Sequence, residues 1–141
     1  MSQQEAELRR DIFNRTIVRY LEVEEETIAS TDELLATATS PMVQQLMLLI
    51  KRDSEKHREI LHTIQNLASG VVSMTPEEMG EINVLLTHHK QIEAESVVLA
   101  RSALENTQHV VIRHLLEYML EDERKHVTMT EQMEDYKRKI Y

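Results

Sequence analysis

The sequence predicts an all-helical fold in which four long helices form two antiparallel hairpins. With 141 residues, 41% of them apolar, the chain suits one domain built around one core. Only two Gly and two Pro interrupt it, and 29% charged side chains with eight Met favour helix over strand. Apolar residues recur at helical spacing in four segments, at about 6–38, 41–69, 76–106 and 109–138.

The breaks between these segments have residues typical of helix ends. Ser40-Pro41 predicts an N-cap followed by proline at the first helical position, and Thr75-Pro76-Glu77-Glu78 predicts a capping box. Gly70 suits the end of the second helix. Very short links join the first helix to the second and the third to the fourth, so each pair is expected to be an antiparallel hairpin. Hairpin one covers about 6–69 and hairpin two about 76–138, within a single domain of residues 1–141.

The link between the hairpins limits the topology. From Gly70 to Gly80 an extended chain reaches about 36 Å at most. This is just enough for a connection that runs along a bundle, provided that the third helix does not begin at Pro76. A plain up-down bundle, or hairpins exchanged between two chains, are the alternatives.

The sequence aligns with itself without a gap when it is shifted by 69 residues, which places 12–70 over 81–139. Identities are few, but several involve metal-ligating residue types. The identical pairs include Glu24/Glu93, Glu26/Glu95, Asp53/Asp122, Lys56/Lys125 and His57/His126.

A carboxylate lies in the middle of an apolar stripe in the first and third helices. On a helical wheel, Glu24 and Glu93 point inward, whereas Glu26 and Glu95 point away. The two stripes consist of Ile17, Leu21, Ile28 and Leu35 in the first helix, and of Leu86, Val97, Ala100 and Leu104 in the third.

A histidine takes the corresponding place in the other two helices. His57 is flanked by Asp53 and Ser54, and His126 by Asp122 and Glu123. The apolar stripes around them consist of Val43, Leu46, Ile50, Leu61 and Ile64 in the second helix, and of Ile112, Leu115, Met119 and Met133 in the fourth. An Asp four residues before a His can also form a simple salt bridge along a helix, which is the alternative interpretation of both Asp-His pairs.

Buried carboxylates repel one another and lose hydration, at several kcal/mol each, unless a partner neutralises them. A pair of divalent cations is such a partner. The chain has no Cys, so any metal must be held by His and carboxylate side chains. Glu123 and His126 are three residues apart on one helical face and can contact one ion together.

The segment Asp122-Glu123-Arg124-Lys125-His126 resembles the Asp-Glu-x-x-His element of the ferritin-like superfamily, which includes rubrerythrins, bacterioferritins and the di-iron subunit of ribonucleotide reductase. This resemblance implies a ferritin-like four-helix bundle that binds two iron ions, or manganese. The ligands that it implies are Glu24, His57, Glu93, Glu123 and His126. It also implies that Asp53 and Asp122 accept hydrogen bonds from the outer N–H groups of the imidazoles.

Hairpin one departs from this pattern at Ser54, which stands where the second hairpin has Glu123. The missing ligand can be supplied in three ways: Asp53 turns inward, a water fills the position, or His89, one turn before Glu93, contributes. Otherwise one of the two metal positions is weak or empty.

The resemblance implies an oxidoreductase of rubrerythrin or ferroxidase type that acts on Fe(II), O₂ or peroxide. Because the chain has no Cys, its electron donor would be another protein. The alternative is a helical bundle with a degenerate site that serves as a structural or protein-interaction module. A second apolar edge on the third helix, at Leu85, Ile92 and Leu99, favours a homo-oligomer, most simply a homodimer.

Charge and hydropathy exclude two classes of partner. The net charge of −9 opposes nucleic-acid binding, which rewards clustered Lys and Arg. No apolar run approaches the roughly 20 residues that a membrane span requires. We therefore expect a cytoplasmic protein.

Overall fold

The computed structural model describes residues 1–70 and 76–139, and all regular structure in these ranges is α-helical, without strands. The four predicted helices are present. They are α1 (Gln3–Thr37), α2 (Pro41–Ala68), α3 (Pro76–Glu105) and α4 (Val110–Lys139).

The helices pack in sequential pairs, α1 with α2 and α3 with α4. The chain divides accordingly into two compact units, Met1–Ser73 and Met74–Tyr141. We call them hairpin one and hairpin two. The short links within each unit make the paired helices antiparallel.

The helix ends follow from local sequence. The largest difference from the prediction is at the N-terminus, where α1 begins at Gln3 rather than near residue 6. The reason is a capping box: the Glu5 backbone N–H donates to Ser2 Oγ at 3.2 Å, and the Ser2 N–H donates to Glu5 Oε2 at 2.8 Å.

The predicted ends of α2 are confirmed. Ser40 is the N-cap and Pro41 the first helical residue, although the Ser40 side chain makes no capping hydrogen bond. At the other end Ser69 is the C-cap, and Gly70 follows with φ of +92°, a conformation that favours glycine. The predicted capping box at Thr75 lies outside the described residues.

The turns of the two hairpins are closed by the same device. Gln44 Nε2, in the first turn of α2, donates to the carbonyl of Ala38 at 2.8 Å. Arg113 occupies the position 69 residues later and donates through Nη1 to the carbonyls of Thr107, at 3.0 Å, and Leu104, at 2.6 Å. These side chains satisfy carbonyls that a helix end leaves without a partner. The equivalent placement shows that the two turns are built alike.

A lysine–carboxylate ion pair crosses between the helices in each hairpin. Lys51 Nζ lies 2.6 Å from Asp32 Oδ1, and Lys90 Nζ lies 2.7 Å from Glu134 Oε1. The hydrogen bond that Lys51 donates to Asp32 raises the pKa of Lys51. These groups are partly exposed, so solvent screens both pairs and neither is a major source of stability.

The stripes predicted for α1 and α3 are confirmed as the inner faces of their hairpins. Ile17 and Ala100 are buried, and the other apolar members are half-buried. The prediction that the apolar stripes of α2 and α4 are buried is wrong in part. Their exposed members are Val43, Leu46 and Ile50 in α2, and Ile112 and Met119 in α4.

Different positions of α2 and α4 are buried instead. In α2 these are Ser54 and Leu61, and in α4 they are Leu120 and Thr130. The physical reason is that each helix of a hairpin packs against one other helix, so it buries only the side that faces this partner. In a larger bundle a helix packs against two neighbours, and the centre of its apolar stripe lies between them. None of the helices in the described ranges has the length and apolar character needed to cross a lipid bilayer.

Candidate metal site

Each hairpin buries one glutamate at the same position of the repeat. Glu24 is 6% exposed and Glu93 is 3% exposed, and they are the buried carboxylates among the described residues. Glu26 and Glu95 are exposed, as the helical wheel predicts. Burial of a carboxylate costs several kcal/mol unless its charge is compensated, so both positions require a partner.

In hairpin one, the partner of Glu24 is a histidine from the opposite helix. His57 Nδ1 lies 3.3 Å from Glu24 Oε1, and half of the His57 side chain remains exposed. Ser54, on the same helix, is 5% exposed. The structure thus brings together two of the predicted ligands, and it buries the serine that replaces a third.

In hairpin two, Glu93 has several partners. Its Oε1 lies 2.7 Å from His89 Nε2 and 4.0 Å from His126 Nδ1. Its Oε2 accepts a hydrogen bond from Thr130 Oγ1 at 3.4 Å. Glu123 Oε2 lies 3.8 Å from His126 Nδ1. The structure therefore brings together the three ligands predicted on this hairpin.

The two Glu-His pairs are equivalent in position and in atom, because Nδ1 of the histidine faces Oε1 of the glutamate in both hairpins. The positions around them differ. Tyr20 and Ser54 of hairpin one correspond to His89 and Glu123 of hairpin two. That the five predicted ligands form one site stays a prediction.

The aspartates predicted to orient the imidazoles lie next to lysines of their own helices. Asp53 Oδ1 is 3.1 Å from Lys56 Nζ, and Asp122 Oδ1 is 3.7 Å from Lys125 Nζ. Both aspartates are half-buried. Their role as acceptors from imidazole N–H groups stays a prediction.

The chemistry of these donors fits iron or manganese, since carboxylate oxygen and imidazole nitrogen are the ligands that such ions take in helical bundles. In the described part of the chain, however, no three His, Asp or Glu side chains already surround one point as a metal site requires. Each hairpin by itself presents donors in a row. A complete site therefore needs side-chain rotation or donors from more than one helix pair.

Thr130 is a site residue that the sequence did not reveal. It is 4% exposed, and its hydroxyl lies 2.9 Å from the carbonyl of His126 as well as near Glu93. The equivalent residue in hairpin one is Leu61, so the internal alignment marks the position as apolar. The i, i+4 spacing from His126 is the one signal that pointed to it.

The chain matches no protein-family model, no curated protein and no solved structure. Fold and side chains alone therefore define its class. It is an all-helical protein of packed helix pairs, each of which holds a buried glutamate against a histidine.

Replacing Glu93 by leucine is expected to raise the free energy of unfolding of the metal-free protein by about 1 kcal/mol or more, because an apolar side chain of similar volume has no charge to desolvate. His89 and His126 are half-exposed, so water can solvate them after the change. Urea unfolding measures the difference. The matched control is Glu95→Leu on the exposed face of α3, expected to change stability by less than about 0.5 kcal/mol. A clear loss of stability in Glu93→Leu would show that Glu93 is already well compensated without metal.

Proposed function

We propose that this protein binds a pair of iron or manganese ions in a four-helix bundle of the ferritin-like kind and acts as an oxidoreductase on Fe(II), O₂ or peroxide. The observation that carries the proposal is the repeated pair of a buried glutamate and a half-exposed histidine. A single buried glutamate is explained by local packing. Two at equivalent positions, each facing histidine Nδ1 across its hairpin, indicate a shared function.

The exposed apolar residues support the formation of a bundle. Among the side chains that the structure describes, each hairpin buries two apolar ones, Ile17 and Leu61 in hairpin one and Ala100 and Leu120 in hairpin two. A helix pair with so little core is expected to pack against another layer. The exposed apolar side chains of α2 and α4 lie on the helix sides that also present His57 and His126. In our proposal, the packing of one hairpin face on another covers these side chains and brings the Glu-His pairs together.

The position at which α3 begins limits how the link from α2 to α3 can run. Because α2 ends at Ala68 and α3 begins at Pro76, the link reaches at most about 29 Å. Helix α2 is about 42 Å long, so the link is too short to run along a bundle from end to end. We therefore propose either an up-down arrangement or an exchange of hairpins between the two copies of a homodimer.

In this proposal Glu24 and His57 would hold one ion, Glu123 and His126 would hold the other, and Glu93 would be the fifth ligand of the pair. When bound, a pair of iron(II) ions would supply the two electrons needed to convert one peroxide and two protons into two waters. The Thr130 hydroxyl would help to orient the Glu93 carboxylate, whose Oε2 it meets at 3.4 Å. A separate protein in the cytoplasm supplies electrons, because the chain has no Cys for a rubredoxin-like centre.

A second candidate is a helical bundle that serves as a protein-interaction module. The observation that favours it is Ser54, which is buried at the position of Glu123 and leaves hairpin one short of a carboxylate. In that function the exposed apolar face of each hairpin contacts another protein, and no metal is required.

Elemental analysis of the purified protein is expected to find about two iron or manganese ions per chain, and fewer in His126→Ala, because the substitution removes a ligand. His114→Ala is the matched control, since His114 is exposed on the same helix. The loaded protein is expected to consume peroxide or O₂ when Fe(II) is added. Metal at background level in the native chain would reject the di-metal proposal and favour the interaction module.

The Ser54→Glu variant is expected to gain metal-dependent stability. Without metal, its melting temperature falls because a charge is buried; with Mn(II), it rises by more than that of the native chain because the new carboxylate binds the ion. Ser54→Gln is the matched control, since it has almost the same size but no charge. An equal rise in the melting temperatures of the two variants on addition of Mn(II) would contradict a ligand position at residue 54.

A further inference from the structure

We infer that the two halves of the proposed site are unequal, and that hairpin two binds the first divalent transition-metal ion by itself through His89, Glu93, Glu123 and His126. The inference rests on the proposed function and assigns the order of binding. His89 becomes an additional ligand in this assignment. Hairpin one, which lacks the equivalents of His89 and Glu123, completes the second position.

Two of the three donor–donor distances in hairpin two suit one ion, and the third, from His89 to Glu93, would have to lengthen. Successive donor atoms are 2.7 Å apart from His89 to Glu93, 4.0 Å from Glu93 to His126, and 3.8 Å from His126 to Glu123. Ligand bonds of about 2.1 Å place neighbouring donors of one ion roughly 3–4 Å apart. Each donor atom contacts only its neighbours in this series and the four donors do not yet surround one point, so the side chains must rotate when an ion binds.

The side chains that must move are free to do so. His89 is 56% exposed and His126 is 47% exposed, so both imidazoles can rotate without disturbing a packed core. Glu93 is held mainly by burial, with the Thr130 hydroxyl 3.4 Å from its Oε2, and it is the fixed point of the site. Movement of two exposed rings around a fixed carboxylate requires little rearrangement.

Hairpin one offers a poorer set of donors. At the equivalent positions it has the phenol of Tyr20 and the hydroxyl of Ser54, which are neutral, with only Glu24 as a carboxylate. Hairpin two has two carboxylates, whose charge matches that of one divalent cation. Both donor number and charge therefore favour hairpin two for the first ion.

The test is a titration of the full, metal-free chain with Co(II), followed by calorimetry and by the visible absorption of the bound ion. His89→Gln is expected to weaken the first binding step about tenfold or more and to change the absorption spectrum, because a nitrogen ligand is lost. The matched control is His88→Gln, since His88 is the exposed neighbour on the same helix and is expected to leave both readouts unchanged. Helix content by circular dichroism checks that each variant folds.

The complementary variant is Glu24→Gln, which is expected to retain the first binding step and lose the second. If His89→Gln binds the first Co(II) with unchanged affinity and spectrum, or if Glu24→Gln loses the first step, the assignment to hairpin two is overturned while the di-metal proposal stands. If the native chain binds no Co(II), both proposals are overturned.

Discussion

The structure depends on how two buried carboxylates are compensated. Glu24 and Glu93 lie where a helix pair would otherwise place apolar side chains, and each loses most of its hydration on folding. The groups that face them are histidines in both hairpins, with a threonine hydroxyl added in hairpin two. In the proposed function, ligand binding accounts for a carboxylate kept at this cost in both halves of the chain.

The internal repeat gives the two hairpins equivalent backbone positions but different side chains around the buried glutamates. Helices α2 and α4 begin 69 residues apart, and the turns before them are closed by side chains at matching positions, Gln44 and Arg113. The residue types around the buried glutamates differ between the hairpins. The backbone frame and the Glu-His pair are thus common to both hairpins, whereas the further donors are concentrated in hairpin two.

The sequence predicted the helices well because each helix end has a local cause, such as Pro41 or Gly70, and because helical periodicity persists over long segments. It also placed Glu24 and Glu93 on buried faces. It did not predict that Ile50 and Met119 are exposed, because periodicity locates the middle of an apolar stripe and does not tell which side of it meets the hairpin partner. Thr130 escaped prediction because its repeat partner is Leu61, and a hydroxyl beside a buried carboxylate leaves no periodic signal.

The measurement that most directly tests the central claim, that the two buried glutamates serve one metal pair, is electron paramagnetic resonance of the chain loaded with two equivalents of Mn(II). In the proposed site, two ions bound by Glu24 and Glu93 would lie close enough to couple magnetically, so we expect the spectrum of a coupled Mn(II) pair. The six-line spectrum of isolated Mn(II) ions, or the spectrum of unbound Mn(II), would contradict the claim.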